Sequence, residues 1–500
     1  MNHGPSESSS RDKIALGVIL LVAAALRLFH VTFQSFWLDE GFTAKLIVQP
    51  LGDFVRLLRV EPFMAAYDIL LYPWARLGTS EAMIRMPSVI FGVATVALVY
   101  RLGLRLFDRR VAIVGATILA LSPSSIAYSQ EARSYSMLMF LSALSWLSFL
   151  DAVQRDTPRN WLRYAVVAAL AGYTHFFGVL IVPSQIAALV AARHMTRQIA
   201  RRLTLTCLAI GVAWLPIVLF FMSPNTVNRA DWMPPTTLEE IGHTIVRISG
   251  GLNGNAGVIL AVLWTIACAL AVVAMFGLSE PQSSAGASLG YFAALSGAIS
   301  PVVLTLAISE VRPMLQARYL LECVPSAAVL AAAGIVQIRW RPALYGLAVA
   351  FIVLVLRQQY TWFWTPQKDD WRSATRYLAA NARPGDAVAF FPPYAKFSFD
   401  YYTEQLGLKP PEQVSYPTTN PIGDPAFLHT KYVSAQDAAA HLVPNLSASR
   451  AWVISRCWNG IPAVNRDAEA VLGAFGRKYP SMRKIDVSGV DMRLYSSEPQ

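Results

Sequence analysis

Apolar runs close to the 20 or so residues needed to cross a bilayer recur from residue 14 to residue 358, separated by short polar segments. Read as helices, they predict eleven spans: 14–31, 83–100, 111–128, 134–152, 160–173, 175–192, 203–222, 256–277, 288–309, 318–337 and 342–358. Two of the polar intervals are longer than turns. Segment 32–82 contains two apolar stretches with polar breaks, 41–48 and 63–74, which are predicted to lie on the membrane surface as amphipathic helices. Trp37, Tyr72 and Trp74 in this segment are of the types that settle at the interface. Segment 223–255, with Trp232, Pro234, Pro235 and a helix predicted from Thr237, has the make-up of a lid or acceptor-binding loop. After about Trp364 the pattern changes. A helix over 369–382, a turn at Arg383-Pro384-Gly385-Asp386 and a short buried strand over 387–391 come first. A strand over 451–455, a helix over 467–475 and a strand pair within 482–496 follow. The alternation predicts a small α/β domain of roughly 130 residues, an ordinary domain size.

Composition supports this reading. Of the 500 residues 55% are hydrophobic and 15% charged, whereas a soluble domain carries roughly 25% charged residues. The expected fold class is a polytopic α-helical membrane protein with a small C-terminal α/β domain. The polar residues 1–13 are expected to be a disordered cytoplasmic N-terminus, with no cleavable signal, followed by the membrane domain at 14–364 and the α/β domain at 365–500. Cys207, Cys268, Cys323 and Cys457 are scattered, and without a CxxC or a Cys/His cluster they indicate neither a zinc site nor a disulfide framework.

The net charge of +11 would suit a nucleic-acid partner, but its distribution excludes one. Arg11 and Lys13, then Arg101, Arg105, Arg109 and Arg110, then Arg155, Arg159 and Arg163 sit in alternate intervals between the runs. Arg193, Arg197, Arg201, Arg202, Arg339 and Arg341 continue the series. Positive loops stay in the cytoplasm. The N-terminus is therefore predicted inside, and segment 32–82, the loops near 128–134 and 223–255, the turn 310–317 and the whole C-terminal domain outside. Neither a GxGxxG string nor a P-loop is present.

The candidate chemistry lies on the outer side. In Ser35-Phe36-Trp37-Leu38-Asp39-Glu40-Gly41 two adjacent carboxylates follow the first run where it leaves the bilayer. Such a carboxylate can serve as base for a hydroxyl nucleophile, or it can simply mark the wet end of a helix. Glu61, Glu131, Arg133, His175, Arg318 and Arg27 lie at the same boundary. Singly, each has a plain reading: Arg27 snorkels, Arg318 anchors at the interface, Glu131 and Arg133 are solvated, and His175 is a hydrogen-bonded turn residue. Together they suit binding of a phosphate-bearing lipid and activation of a hydroxyl. A transporter instead needs ionisable groups near the midplane, and the spans are nearly bare of them. No metal-ligand spacing is present. The outer carboxylates can hold a divalent ion, but no cofactor is expected to be obligatory.

Five strings occur in order between about residues 14 and 337. They are Trp37-Leu38-Asp39-Glu40; Ala82-Met83-Ile84-Arg85-Met86-Pro87-Ser88 with Phe91-Gly92-Val93; Tyr128-Ser129-Gln130-Glu131-Ala132-Arg133-Ser134-Tyr135; Tyr173-Thr174-His175-Phe176; and Ala317-Arg318-Tyr319-Leu320. With them the chain resembles the GT-C glycosyltransferases that use polyprenyl-phosphate sugars. Within these it is similar to the protein-mannosyltransferase-like group and to the bacterial lipid A aminoarabinose and lipopolysaccharide-core galacturonic acid transferases. The resemblance implies that Asp39 is the catalytic acidic residue, that Glu40 completes the pair, and that Glu61 is the second acidic residue of the first outer loop. It implies that Arg133 and Arg318, with Arg27, hold the donor phosphate, and that Glu131, Tyr128, His175, Tyr67 and Tyr319 face substrate. One departure is local. Family members carry His-Pro-Pro or Lys-Pro-Pro before an aromatic helix, and this chain has Glu61-Pro62-Phe63. The implied partners are membrane lipids, a polyprenyl-phosphate sugar, and a protein, lipid or envelope-glycan acceptor. The implied place is the outer face of a bacterial inner membrane. The alternative is a lipid-linked glycan flippase without transferase activity.

Overall fold

A computed structural model describes residues 10–60, 62–222, 233, 235–252, 254–277, 285–391, 393–416, 434–455 and 462–498. Twenty α-helices and five strands are described. In chain order the first helices are α1 (Ser10–Leu28), α2 (Leu38–Leu46), α3 (Leu51–Val60), α4 (Ala65–Trp74), α5 (Glu81–Leu106), α6 (Arg109–Leu121), α7 (Pro123–Ser129), α8 (Tyr135–Arg155), α9 (Pro158–Thr174), α10 (Ile181–Ala191) and α11 (Arg197–Met222). Next come α12 (Leu238–Ile248), α13 (Asn255–Gly277), α14 (Ala285–Ser309), α15 (Val324–Ile335) and α16 (Arg341–Trp364). Short 3-10 turns, Phe176–Leu180 and Ala317–Cys323, lead into α10 and α15. Each of the eleven expected spans coincides with a helix or helix pair. By length and composition, however, seven are able to cross a membrane, or eight if the bent pair α6–α7 counts as one span. The other three fall short for physical reasons. α1 carries Arg11, Asp12, Lys13 and Arg27 within 19 residues, α9 has only 17 residues, and α10 has 11.

The chain divides into two compact units. The helical unit comprises Met1–Val31, Arg85–Phe220 and Pro235–Phe363. The mixed unit comprises Thr32–Ile84, Phe221–Pro234 and Trp364–Gln500, so the first outer segment groups with the C-terminal residues.

In the helical unit, small residues let backbones approach, the usual device where lipid supplies no hydrophobic drive between helices. A Cβ at Gly334 in α15 would lie 1.7 Å from the Ala267 carbonyl oxygen of α13, so only glycine fits there. A buried polar chain joins three helices: the Tyr164 hydroxyl donates to Gln185 Oε1 (2.7 Å), whose Nε2 donates to Ser145 Oγ (3.0 Å). Glu322 is a carboxyl buried in the same interior, at 1% exposure.

The span expected at 111–128 is broken. Pro123 has no N–H, and it drives Ser122 out of the helical region (ψ 116°). Pro123 then opens α7 with Ser122 as its N-cap, at 59° to α6. A break inside a bilayer leaves carbonyls that water cannot reach. Here side chains meet them. Arg27 donates to the carbonyls of Ala120 (3.1 Å) and Leu119 (3.2 Å), and Gln359 to that of Leu121 (2.9 Å). Arg27 also reaches Ser125 Oγ (2.9 Å) and Ser129 Oγ (3.2 Å) on α7 and the Ala23 carbonyl (3.2 Å).

The mixed unit contains a five-stranded sheet of order β2-β1-β3-β5-β4, with β1 (Ala387–Phe391), β2 (Glu412–Ser415), β3 (Arg450–Ser455), β4 (Ser481–Val487) and β5 (Val490–Ser496). β1 pairs in parallel with β2 and β3, and β5 runs antiparallel to β3 and β4. Its helices are α17 (Trp371–Asn381), α18 (Lys396–Gln405), α19 (Ala435–Leu442) and α20 (Pro462–Lys478). Every residue of β1 is buried, as befits an inner parallel strand. Ala387, Ala389 and Phe391 of β1 pack with α19 and α20, while Phe390 meets Phe399 of α18 at 5.1 Å between ring centres. The expected α/β tail is therefore present, with β2, α18 and α19 added to what the pattern predicts. The first outer segment joins it. Phe397 of α18 packs with Leu46, Phe54 and Leu57, and a Cβ at Gly41 would lie 2.7 Å from the Ser398 backbone nitrogen. The stretch 41–48, expected as a surface helix, is thus largely buried as α2, and α3 is an additional helix.

Substituting Arg27→Leu removes the side-chain donor at Ala120 and one of two donors at Leu119, whose carbonyl keeps the Ser122 N–H. Each unsatisfied buried carbonyl costs about 1–3 kcal/mol, so thermal unfolding in detergent should begin several degrees lower. An unchanged melting curve would refute the clamp.

Candidate functional site

The helical unit gathers most of the expected donor-binding residues. The clamped α6–α7 break sets the exit of α7, and residues 128–134 turn there into α8. The Ser136 hydroxyl donates to the Tyr128 carbonyl (3.1 Å) and that of Ser88 to the Arg133 carbonyl (3.1 Å). Gln130 donates to the carbonyls of Arg27 (2.9 Å) and Phe29 (2.7 Å) and accepts from Trp362 Nε1 (2.7 Å). This loop is held on three sides, so Glu131 and Arg133 are presented from rigid backbone.

Aromatic rings form the floor. Tyr128 meets Tyr135 (5.3 Å), Tyr135 meets His175 (6.0 Å), and His175 meets Tyr319 (4.8 Å). Arg318 lies over the Tyr319 ring at 5.5 Å. Arg247, from α12, lies over Tyr128 at 6.0 Å. The sequence reading did not single out Arg247; its signal was a cation in the last turn of a helix expected from Thr237. Three guanidiniums thus accompany one carboxylate, Glu131, which is 7% exposed. Such a field favours an anion.

His175 is the turn residue between α9 and the following 3-10 turn, and its Nδ1 accepts from the Phe177 N–H (3.3 Å). Burial, then Arg133 and Arg318, push its pKa down to about 3. It is a neutral ring acceptor at 5% exposure, within the ring stack. Arg27 is a correction. At 0% exposure its five N–H groups all meet protein oxygens, so it braces the loop and has no donor left for a lipid phosphate.

The mixed unit carries the acidic pair. Asp39 and Glu40 are the second and third residues of α2, whose free N–H groups and dipole favour negative charge. The neighbours have different surroundings. Asp39 is half-buried. Glu40 is fully buried and 3.0 Å from Lys368 Nζ, itself 8% exposed. Glu40, expected beside Asp39 in catalysis, is therefore enclosed and paired, a brace for the first turn of α2. The preceding residues are fixed to the tail. Gln34 donates to the Thr365 carbonyl (2.9 Å) and accepts from the Gln367 N–H (2.9 Å). The Arg372 N–H donates to Ser35 Oγ (3.1 Å), and the Arg372 guanidinium reaches Glu81 (3.2 Å) and the Thr32 carbonyl (2.6 Å). Tyr402 hydrogen-bonds Glu81 and accepts from the Phe36 N–H (2.6 Å). Tyr67, expected to face substrate, is at 0% exposure inside the unit, because it lies on the inward face of α4 with Asp68 and Leu71. Glu61 and, of the expected lid 223–255, residues 223–232, 234 and 253 lie outside the described residues. Among the described residues no three His, Cys, Asp or Glu side chains converge.

Residues 60–221 match the sequence profile of the dolichyl-phosphate-mannose-protein mannosyltransferase family. A sequence search of curated proteins gives no match. The fold is similar to that of ArnT from Cupriavidus metallidurans in the apo state, with a TM-score of 0.62 at 12% identity, covering 99% of this chain and 100% of that one. The same protein bound to undecaprenyl phosphate matches at 0.62 and 12%, over 98% and 100%. The oligosaccharyltransferase of Archaeoglobus fulgidus matches at 0.55 and 13%, over 90% of this chain and 70% of that one. The chain is a multi-pass membrane protein with an ArnT-like fold, the fold class that its sequence leads one to expect.

Two measurements check the site geometry. Lys368→Met removes the buried cation that stands 3.0 Å from the fully buried Glu40, which should destabilise the protein by about 3–5 kcal/mol. Lys368→Met with Glu40→Gln should recover part of that loss in chemical denaturation; no recovery would mean that the two charges do not act as a pair. Because the folded pKa of His175 lies below its ordinary 6.5, stability is full above pH 6.5 and falls as pH drops towards 3. In histidine-labelled protein the His175 ring signal should stay unshifted from pH 8 to pH 5, and a midpoint near 6.5 would contradict the buried, arginine-flanked setting.

Proposed function

We propose that this protein is a glycosyltransferase that moves a sugar from a polyprenyl-phosphate donor to a hydroxyl of a protein, lipid or envelope-glycan acceptor. The reaction takes place at the outer face of a bacterial inner membrane and inverts the anomeric centre. The observation that carries this reading is the arginine-rich cluster of the helical unit, Arg133, Arg318 and Arg247 on a floor of Tyr128, Tyr135, His175 and Tyr319. Guanidiniums suit a phosphate better than point charges do, because their planar forks meet two oxygens. The family match at 60–221 and the ArnT-like fold support the same chemistry.

The balance of the step assigns the roles. Asp39 accepts or orients the proton of the acceptor hydroxyl. The oxygen attacks the anomeric carbon from the side opposite the phosphate, the carbon–oxygen bond to the phosphate breaks, and the electron pair leaves with the lipid phosphate. Charge on that phosphate rises as the bond breaks, and Arg133 and Arg318 stabilise it. Arg247 joins them by position. A neutral His175 adds no further charge and keeps the arginine-flanked rings packed. A divalent ion at the outer carboxylates is not required by this scheme, and activity that survives chelation is expected.

The test uses purified protein, a radiolabelled polyprenyl-phosphate sugar and an envelope extract. Release of free polyprenyl phosphate is expected from a transferase and not from a flippase. Asp39→Asn should lower turnover by roughly 10²–10⁴ in protein that still folds, the usual contribution of a positioned base. Arg318→Ala or Arg133→Ala should weaken donor use. Near-normal turnover of the Asn variant removes Asp39 from the step, and normal donor use in both arginine variants removes the phosphate assignment.

A further inference from the structure

The far end of the helical unit holds a second arginine cluster. α8 has 21 residues, so its last turn lies about 30 Å along the axis from Arg133 at its start. There a cavity of about 350 Å³ opens among α5, α8 and α9, lined by Arg101, Arg105, Arg155, Arg163, Asp151 and Ser148. Four guanidiniums face one carboxylate. Asp151 engages two of them, Arg105 at 3.3 Å and Arg163. Arg101 and Arg155 have no ion pair or hydrogen bond among the described residues. The dipole at the end of α8 favours Arg155 where it stands, and the guanidiniums of both residues remain open to an anion in the cavity.

The inner wall is different. Leu144 and Leu147 line it. With Ser148, Asp151 and Arg155 they form one stripe of α8 at three- and four-residue spacing, apolar towards the middle of the helix and charged at its end. The Ser148 hydroxyl is wholly buried, has no hydrogen-bond partner and lines the cavity. A buried hydroxyl without a partner is costly, and a ligand acceptor would satisfy it. The gradient from apolar wall to guanidinium rim matches an amphipathic anion. The volume lies within the range of small-molecule sites, roughly 300–1,000 Å³, and leaves room for more than a bare phosphate.

We propose that this cavity binds the phosphate headgroup of an anionic membrane phospholipid. Arg101 and Arg155 clamp the phosphate, Ser148 donates from within, and Leu144 and Leu147 receive the glycerol end of the acyl chains. Free inorganic phosphate shares the anion chemistry but not the apolar contacts. The site is independent of the proposed transferase chemistry, because no residue of it takes part there.

The full chain, delipidated in detergent, is titrated with phosphatidylglycerol, phosphatidylcholine or inorganic phosphate and followed by native mass spectrometry. Phosphatidylglycerol should bind in preference to phosphatidylcholine, and inorganic phosphate at equal concentration should not displace it. Arg101→Ala and Arg155→Ala should each weaken phosphatidylglycerol about fivefold, and the pair about 25-fold. Ser148→Ala should weaken it less. Arg155→Gln, in the exposed last turn of α8, provides a well-folded second variant, with the thermal midpoint as control. Equal binding of phosphatidylglycerol by the double variant and the parent protein overturns the site. Displacement by inorganic phosphate overturns the lipid as its occupant.

Discussion

The structure of the helical unit depends on one interaction, the satisfaction of carbonyls left open where a helix breaks at Ser122-Pro123. In a bilayer an unmet carbonyl is expensive, and no water is at hand to meet it. Arg27 and Gln359, from distant parts of the chain, supply the donors at Leu119, Ala120 and Leu121. The charge of Arg27 is tolerated in the interior because carbonyl dipoles at a helix C-terminus surround it. Everything beyond the break inherits its direction from this clamp. The loop 128–134, and with it Glu131 and Arg133, leaves α7 at an angle that a straight span would not have produced.

The mixed unit solves a related problem with charge. Two neighbouring carboxylates at a helix N-terminus repel each other, and burying both would be costly. The fold separates their circumstances: Glu40 is enclosed against Lys368, and Asp39 keeps contact with solvent. The helix dipole favours both. The network of Ser35, Arg372, Glu81 and Tyr402 holds the strand-like lead-in 34–37 by side chains from the C-terminal residues. In the proposed mechanism the tail therefore has a mechanical part, fixing where α2 begins.

Arginine serves three different purposes along this chain. At the α6–α7 break it is a buried donor set with no ion pair among the described residues. In the loop 128–134 and at the start of the 3-10 turn before α15 it provides a positive field over aromatic rings. At the far ends of α5 and α8 it rims a cavity with an apolar wall. The side chain is the same, and the surrounding dipoles and exposure decide which of these it does. A fold similar to ArnT at 12% identity follows the same logic, since helix packing and backbone satisfaction constrain the chain more than residue identity does.

The sequence by itself determined the membrane class, the helical character of all eleven stretches, the α/β tail, and the gathering of Glu131, Arg133, His175 and Arg318. Those features follow from hydropathy, charge bias and ordered motif strings, all of which are local. Pro123 was a legible warning of the broken span, outweighed by the apolar run around it. Only the tertiary structure decided that Arg27 is a clamp, that Glu40 and Tyr67 are enclosed, that Arg247 joins the cluster, and that the first outer segment packs with the C-terminal residues. Each of those depends on which distant backbone oxygen, carboxylate or ring lies within a few ångströms of a side chain. Periodicity says which face of a helix is apolar, and it carries no information about what that face will meet.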